Sequence, residues 1–188
     1  GAFKIFDTST QKFTALTLPS DNLKQIFVTD NGAILLFQDR TIRFTSFDSK
    51  QEKIVAVNTA SFTVQGGLLY ILEDTRIISL SLEALDKAPT VLTEKIDAFK
   101  NGTLLVMPHK EIFCLLDTTL YQVGTANLTH LQSDVTSAGL DDVSESIWWQ
   151  SGGSIYYYEY GFTGPKLITR SQSPITALAF HPESRYLF

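Results

Sequence analysis

Ile34-Leu35-Leu36-Phe37-Gln38-Asp39-Arg40-Thr41-Ile42 is an apolar run, a polar turn and the start of a second apolar run, and the chain repeats it. It returns as Leu69-Tyr70-Ile71-Leu72-Glu73-Asp74-Thr75-Arg76-Ile77 and as Ile112-Phe113-Cys114-Leu115-Leu116-Asp117-Thr118-Thr119-Leu120. A fourth copy, Ile147-Trp148-Trp149-Gln150-Ser151-Gly152-Gly153-Ser154-Ile155, carries two glycines at the turn. β-Branched and aromatic residues fill the runs, and Asp or Gly breaks them, so each copy reads as a β-hairpin. Measured at Ile42, Ile77, Leu120 and Ile155, the copies stand 35, 43 and 35 residues apart.

A period of this length built from strands alone indicates the blades of a β-propeller. Each repeat divides into four antiparallel strands, at about 23–29, 33–38, 41–47 and 53–57 in the first and 60–65, 68–73, 76–82 and 89–93 in the second. The third repeat covers about 96–131 and the fourth about 134–170. Residues 3–18 read as the last two strands of a repeat and 174–188 as the first two. Joining the ends therefore makes a fifth blade, with spacings of 38 and 37 residues across the seam. The expected fold is a single all-β domain over 1–188, a five-bladed propeller closed by pairing of the N- and C-terminal strands. Its blades fall at 22–58, 59–94, 95–132, 133–171, and 172–188 joined with 1–19. The closure removes exposed sheet edges. Middle strands should be apolar on both faces, because each sheet packs against two neighbours. Ser81–Lys87 has the composition for a turn or two of helix, in a connection.

Apolar residues make up 44% of the 188 and charged residues 19%, with a net charge of −5. Nucleic acid needs a stripe of cations along its phosphates, and no basic cluster here exceeds two residues. The longest apolar runs, Ala33–Phe37 and its equals Leu68–Leu72 and Ile112–Leu116, fall far short of the roughly 20 residues that cross a bilayer, so no membrane insertion is expected within this segment. Gly1-Ala2 reads as an expression scar. The one cysteine, Cys114, excludes an internal disulfide and lies mid-strand, where a buried, inert thiol is expected. Cysteine scarcity suits the cytoplasm and bacterial exported proteins alike.

Ser173-Pro174-Ile175-Thr176-Ala177-Leu178-Ala179-Phe180-His181-Pro182-Glu183-Ser184-Arg185-Tyr186-Leu187 resembles the phrase that runs from the innermost strand to the second in WD-repeat and TolB-like propellers. Glu183-Ser184 stands where those families carry Asp-Gly, and the Trp-Asp and Gly-His signatures of true WD repeats are absent. The texture of the blades is also similar to propellers found beside PEGA-type domains in bacterial surface proteins. These resemblances imply binding and scaffolding more than catalysis, and favour an extracytoplasmic, cell-surface setting.

Asp39, Asp74 and Asp117 recur at one turn position and read as hairpin residues, since Asp tolerates turn geometry and caps its own backbone. A glycosidase on such a fold needs paired carboxylates near the axis. Asp30, Asp97 and Asp141 or Asp142 are the candidates for those places. His109, His130 and His181 have no ligand at metal-binding spacing, so no metal and no cofactor is expected. Asn101-Gly102-Thr103 and Asn127-Leu128-Thr129 match the glycosylation triplet at the rate expected by chance. Gly66-Gly67 lacks the helix of a phosphate cradle and reads as a turn. Trp148, Trp149 and Tyr156-Tyr157-Tyr158 form the richest aromatic cluster, and Trp148 and Trp149 align with Tyr70 and Ile71 as core. The aromatics best placed for recognition are Tyr157, Tyr160 and Phe162, because Tyr combines apolar area with a polar tip.

The resulting expectation is a non-enzymatic propeller, with no catalytic residues, serving as a protein-interaction or scaffold module, part of a larger bacterial surface protein. Its partner is a protein, not nucleic acid. The alternative is a carbohydrate-binding or glycan-cleaving propeller using Tyr157, Tyr160 or the axial aspartates.

Overall fold

The computed structural model describes residues 3–7, 11–16, 21–47, 51–125, 127–141 and 145–171. The chain divides into two compact units, Gly1–Thr59 and Ala60–Phe188. In the first, β1 (Phe3–Asp7) and β2 (Lys12–Leu16) form a two-stranded hairpin. A four-stranded antiparallel sheet follows, made of β3 (Leu23–Val28), β4 (Gly32–Phe37), β5 (Ile42–Ser46) and β6 (Glu52–Ala56). The second unit holds three further four-stranded sheets in sequential order. They are β7 (Thr59–Gln65) to β10 (Thr90–Glu94) through β8 (Leu68–Glu73) and β9 (Arg76–Ser81); β11 (Gly102–Val106) to β14 (Leu128–Gln132) through β12 (Ile112–Leu116) and β13 (Thr119–Val123); and β15 (Val135–Asp141) to β18 (Lys166–Arg170) through β16 (Ser146–Ser151) and β17 (Ser154–Glu159). The chain is thus an all-β repeat protein. The sequence repeats correspond to the sheets, most strand bounds agreeing within two residues. The segment 174–188, expected to pair with 3–18, lies outside the described residues.

Register shows how closely the sheets repeat. The equivalent pairs beside the central turns are Leu36 with Ile42, Leu72 with Ile77, Leu115 with Leu120 and Gln150 with Ile155, with one further pair beyond them in the third and fourth sheets. On the outer strand, each four-stranded sheet carries a bulge beside this pair, which leaves one extra apolar residue: Val55, Leu92, Leu131 and Ile168. A bulge bends its strand and sharpens the local twist, so each outer strand is turned by the same device. A backbone clip also recurs: the amides of Thr59, Ile96 and Val135 donate to the carbonyls of Arg40, Thr75 and Thr118 at 2.9, 2.9 and 2.8 Å. Each clip ties the chain leaving a sheet to that sheet's central turn.

Burial follows the expected pattern in the middle strands. All six residues of β4 are buried, as are Leu69 to Leu72 in β8. Within the second unit, the sheet of β7–β10 packs on that of β11–β14 through Tyr70, Leu72 and Ile77 against Leu104, Val106 and Cys114, with Leu92 beside them. The sheet of β11–β14 packs in turn on β15–β18 through Phe113, Leu120, Leu115 and Leu131 against Ile147 and Trp149. The residues facing the following sheet therefore occupy the same repeat positions both times. On the fourth sheet those positions are Trp148, Gln150, Ile155 and Ile168.

Three details differ from the sequence reading. Ser81–Lys87 makes successive turns and not a helix: the amides of Ala84 and Lys87 reach back three residues, to Ser81 and Ala84, and Ser81 Oγ accepts from the Glu83 amide. A serine that satisfies a nearby backbone amide favours a turn over a helix. The third repeat opens with a connection, its first strand starting at Gly102 and not near 96, because Ile96 is held by the clip to Thr75 and buried there. Trp148 is half-buried and not core, whereas Trp149 is fully buried. Adjacent residues of a strand face opposite sides, and the side that Trp149 faces is the one covered by the third sheet.

Candidate functional site

The cross-strand register of the fourth sheet arranges its aromatics into two groups. Gly139, Trp148, Tyr157 and Lys166 pair in one row across β15 to β18. Gly139 makes room for the indole: a Cβ there would lie 2.5 Å from Trp148 Cζ2. The Tyr157 and Phe162 rings meet edge to face at 6.4 Å, and Lys166 Nζ stands 3.8 Å over the Phe162 ring. Tyr157 donates to Glu159 Oε2 at 3.2 Å. The structure thus brings Tyr157 and Phe162 together.

Tyr160 belongs to a separate group. Its ring stacks on His109 at 4.3 Å and 26°, and His109 Nε2 contacts Glu145 Oε2. His109 lies in the β11–β12 turn, Glu145 at the entry to β16 and Tyr160 just after β17, so two neighbouring sheets of one unit build the corner. His109 and Tyr160 are exposed, Tyr160 by 50%, and Glu145 is half-buried. Beneath them Tyr158 donates to Glu111 Oε1 at 3.1 Å, and Gln122 Nε2 donates to the same oxygen at 3.4 Å. Burial raises the Tyr158 hydroxyl above its ordinary range, and the Glu111 carboxylate and Tyr160 add to the shift. Glu111 Oε2 is enclosed and has no hydrogen-bond partner. Sequence reasoning named Tyr160 and placed His109 in a loop, but it missed Glu111 and Glu145. The contacts that define the corner span 36 and 47 residues, and no local pattern signals them.

The remaining candidates fall into structural roles. Asp39 accepts from the Thr41 amide and hydroxyl at 3.0 and 2.7 Å, which lowers its carboxyl below the usual range, with Arg43 assisting. Asp117 behaves differently from the expected self-cap: its Oδ1 accepts from the amides of Lys100 and Asn101 at 3.0 and 2.9 Å. Asp74 occupies the corresponding turn of the second sheet. Asp30 lies in the turn before β4 and Asp97 in the connection before β11, so neither is on a first strand; Asp141 ends β15 and is buried. Asp142 and His181 lie outside the described residues. His130 contacts Ser133 Oγ at 2.9 Å and meets Tyr121 edge to face. Gly66 and Gly67, at φ +56° and +74°, form the two-residue left-handed turn between β7 and β8.

Among the described residues no group of three His, Cys, Asp or Glu side chains is placed to hold a metal ion, and no helix is long and apolar enough to cross a membrane. A shallow depression of about 440 Å³ lies between Asp21, Phe37, Asp39 and Arg43. Arg43 is already engaged there, 3.6 Å from Asp39, 3.3 Å from Glu52 and 4.7 Å over the Phe37 ring.

No protein-family model matches the chain, and no curated protein matches it. Solved structures do. The computationally designed Ika8 protein aligns with a TM-score of 0.62 at 15% identity over 96% of this chain and 60% of its own. Kluyveromyces lactis Hsv2 aligns with a TM-score of 0.62 at 12% identity over 84% of this chain and 55% of its own. The complex of fission yeast SREBP–SCAP binding domains gives 0.59 at 11% identity over 97% of this chain and 60% of its own. The chain thus spans between 55% and 60% of these structures, and likeness at such identity establishes the repeated four-stranded β-sheet fold alone.

Proposed function

We propose that the chain is a WD-repeat-like β-propeller closed as five blades, the fifth made from 172–188 and the β1–β2 hairpin, and that it is a non-enzymatic protein-interaction module. The closure is supported by the repeat positions on the fourth sheet. Trp148, Gln150, Ile155 and Ile168 stand where Tyr70, Leu72, Ile77 and Leu92, and again Phe113, Leu115, Leu120 and Leu131, meet a following sheet. Gln150 and Ile155 are buried and Trp148 is half-buried, while Ile168 is 45% exposed, so on the fourth sheet the outer-strand position is the open one of the four. A fifth sheet on that side would also cover Tyr157 and Phe162.

The observation that carries the interaction reading is the exposed corner of Tyr160, His109 and Glu145. Exposed aromatic and charged side chains already ordered against one another lose little freedom on binding, and this is the character of interface hot spots. The likeness to a complex of binding domains agrees with this use of the fold. A photo-crosslinking residue at exposed Lys110, beside the corner, should trap a discrete protein adduct in cells that express the chain. The adduct should disappear when Tyr160→Ala and His109→Ala are combined. Absence of any adduct, together with a hit on a glycan array or measurable glycan hydrolysis, would replace this reading with the carbohydrate alternative.

A further inference from the structure

The corner described above is unbalanced in charge. Glu111 and Glu145 bring two carboxylates, and the groups that contact them are a phenol, a carboxamide and an imidazole. No Lys or Arg side chain touches either carboxylate among the described residues. One acceptor of the corner, Glu111 Oε2, is enclosed and has no hydrogen-bond partner. One face of the Tyr160 ring is stacked on His109, while half of the residue remains open to solvent.

We propose that this corner receives an arginine side chain from the protein partner, its guanidinium stacked on Tyr160 and paired with Glu145. The proposal rests on the protein-interaction reading and adds the chemistry of the contact. Guanidinium fits for two reasons. It is planar and weakly hydrated, so it stacks flat on an aromatic ring, and its fork of donors satisfies a carboxylate oxygen without taking the other from His109. Glu111, held behind Tyr158, adds negative potential from below and is not itself contacted.

The test uses the whole 188-residue chain and acetyl-Gly-Arg-Gly-amide as probe, followed by NMR of the His109 and Tyr160 ring resonances. Saturable shifts of both rings are expected, with affinity falling about tenfold for the citrulline peptide, which keeps the shape and loses the charge. Tyr160→Leu and Glu145→Gln should each weaken binding several-fold, and the thermal melt of each variant establishes that it is folded. Equal binding of the arginine, lysine and citrulline peptides would overturn the proposal, as would shifts that leave both rings unmoved. A crosslinked partner at Lys110 combined with no arginine preference would sink this inference and leave the interaction module standing.

Discussion

Gly102 sits directly beneath Leu72: a Cβ built on the glycine would lie 2.5 Å from Leu72 Cδ2 and 2.8 Å from the Phe99 ring. This is where β8 and β11 approach, and the second and third sheets are that close because the first residue of β11 has no side chain. Gly102→Val should therefore force the two sheets apart and destabilise the protein by about 1–3 kcal/mol, the usual cost of overpacking. A lowered thermal midpoint checks it; a midpoint unchanged from the parent would mean that the interface yields freely.

Asp117 ties a turn to a segment far from it in sequence. Removing its carboxylate in Asp117→Ala leaves the Lys100 and Asn101 amides without an acceptor and places alanine at φ +51°. The expected loss is about 1–3 kcal/mol, with faster hydrogen exchange at those two amides. Asp117→Asn keeps an acceptor and tolerates the left-handed turn, so it should behave nearly as the parent. Unchanged exchange at Lys100 and Asn101 in the alanine variant would count against the tie.

Cys114 is fully enclosed, and burial pushes its thiol up to about 12. Because the thiolate is the nucleophile, a thiol reagent at pH 8 should modify the native protein no faster than it unfolds. The same reagent should react promptly in denaturant. Rapid labelling under native conditions would show that the cluster around Cys114 opens locally.

Tyr70 and Tyr158 are both raised by burial, and Tyr158 further by Glu111. Above pH of about 10 the unfolded chain releases these phenolic protons first, so it binds fewer protons than the native state and stability falls as pH rises. Their contribution is intact below the ordinary tyrosine value and lost as pH climbs through the folded one. Denaturation midpoints measured between pH 8 and 11 should decline, and Tyr158→Phe should flatten that decline. A profile level across the range would contradict the assignment.

The fifth-sheet proposal predicts unequal costs for two outer-strand residues. Ile168→Lys should cost about 2 kcal/mol if a sheet covers it, whereas Ile54→Lys, at a position 60% exposed, should stay within about 0.5 kcal/mol. Truncation after Ser171 should be far worse. Uncovering even ~400 Å² of apolar surface costs on the order of 10 kcal/mol, comparable with the stability of a whole domain. A soluble 1–171 fragment that melts near the parent temperature would defeat the closed ring.

The candidate site was partly legible. Tyr157, Tyr160 and Phe162 are legible as recognition candidates because Tyr combines apolar area with a polar tip, but the sequence does not say which of them meet. Cross-strand pairing sent Tyr157 towards Lys166 and Phe162 and left Tyr160 to stack on His109. Similarly, Asp39 and Asp117 look alike in sequence, yet one caps its own turn and the other holds a segment 16 and 17 residues away.

By itself the sequence determined the strands, their grouping in fours and the burial of the middle strands. Those properties depend on periods of two and of about forty residues, and both periods are written in the order of apolar and turn-forming residues. The outer-strand bulges at Val55, Leu92, Leu131 and Ile168, the half-burial of Trp148 over Gly139 and the meeting of His109, Glu145 and Tyr160 were decided in three dimensions. Each depends on which side of a sheet a neighbouring sheet covers and on contacts between residues far apart in the chain, quantities that a one-dimensional pattern does not contain.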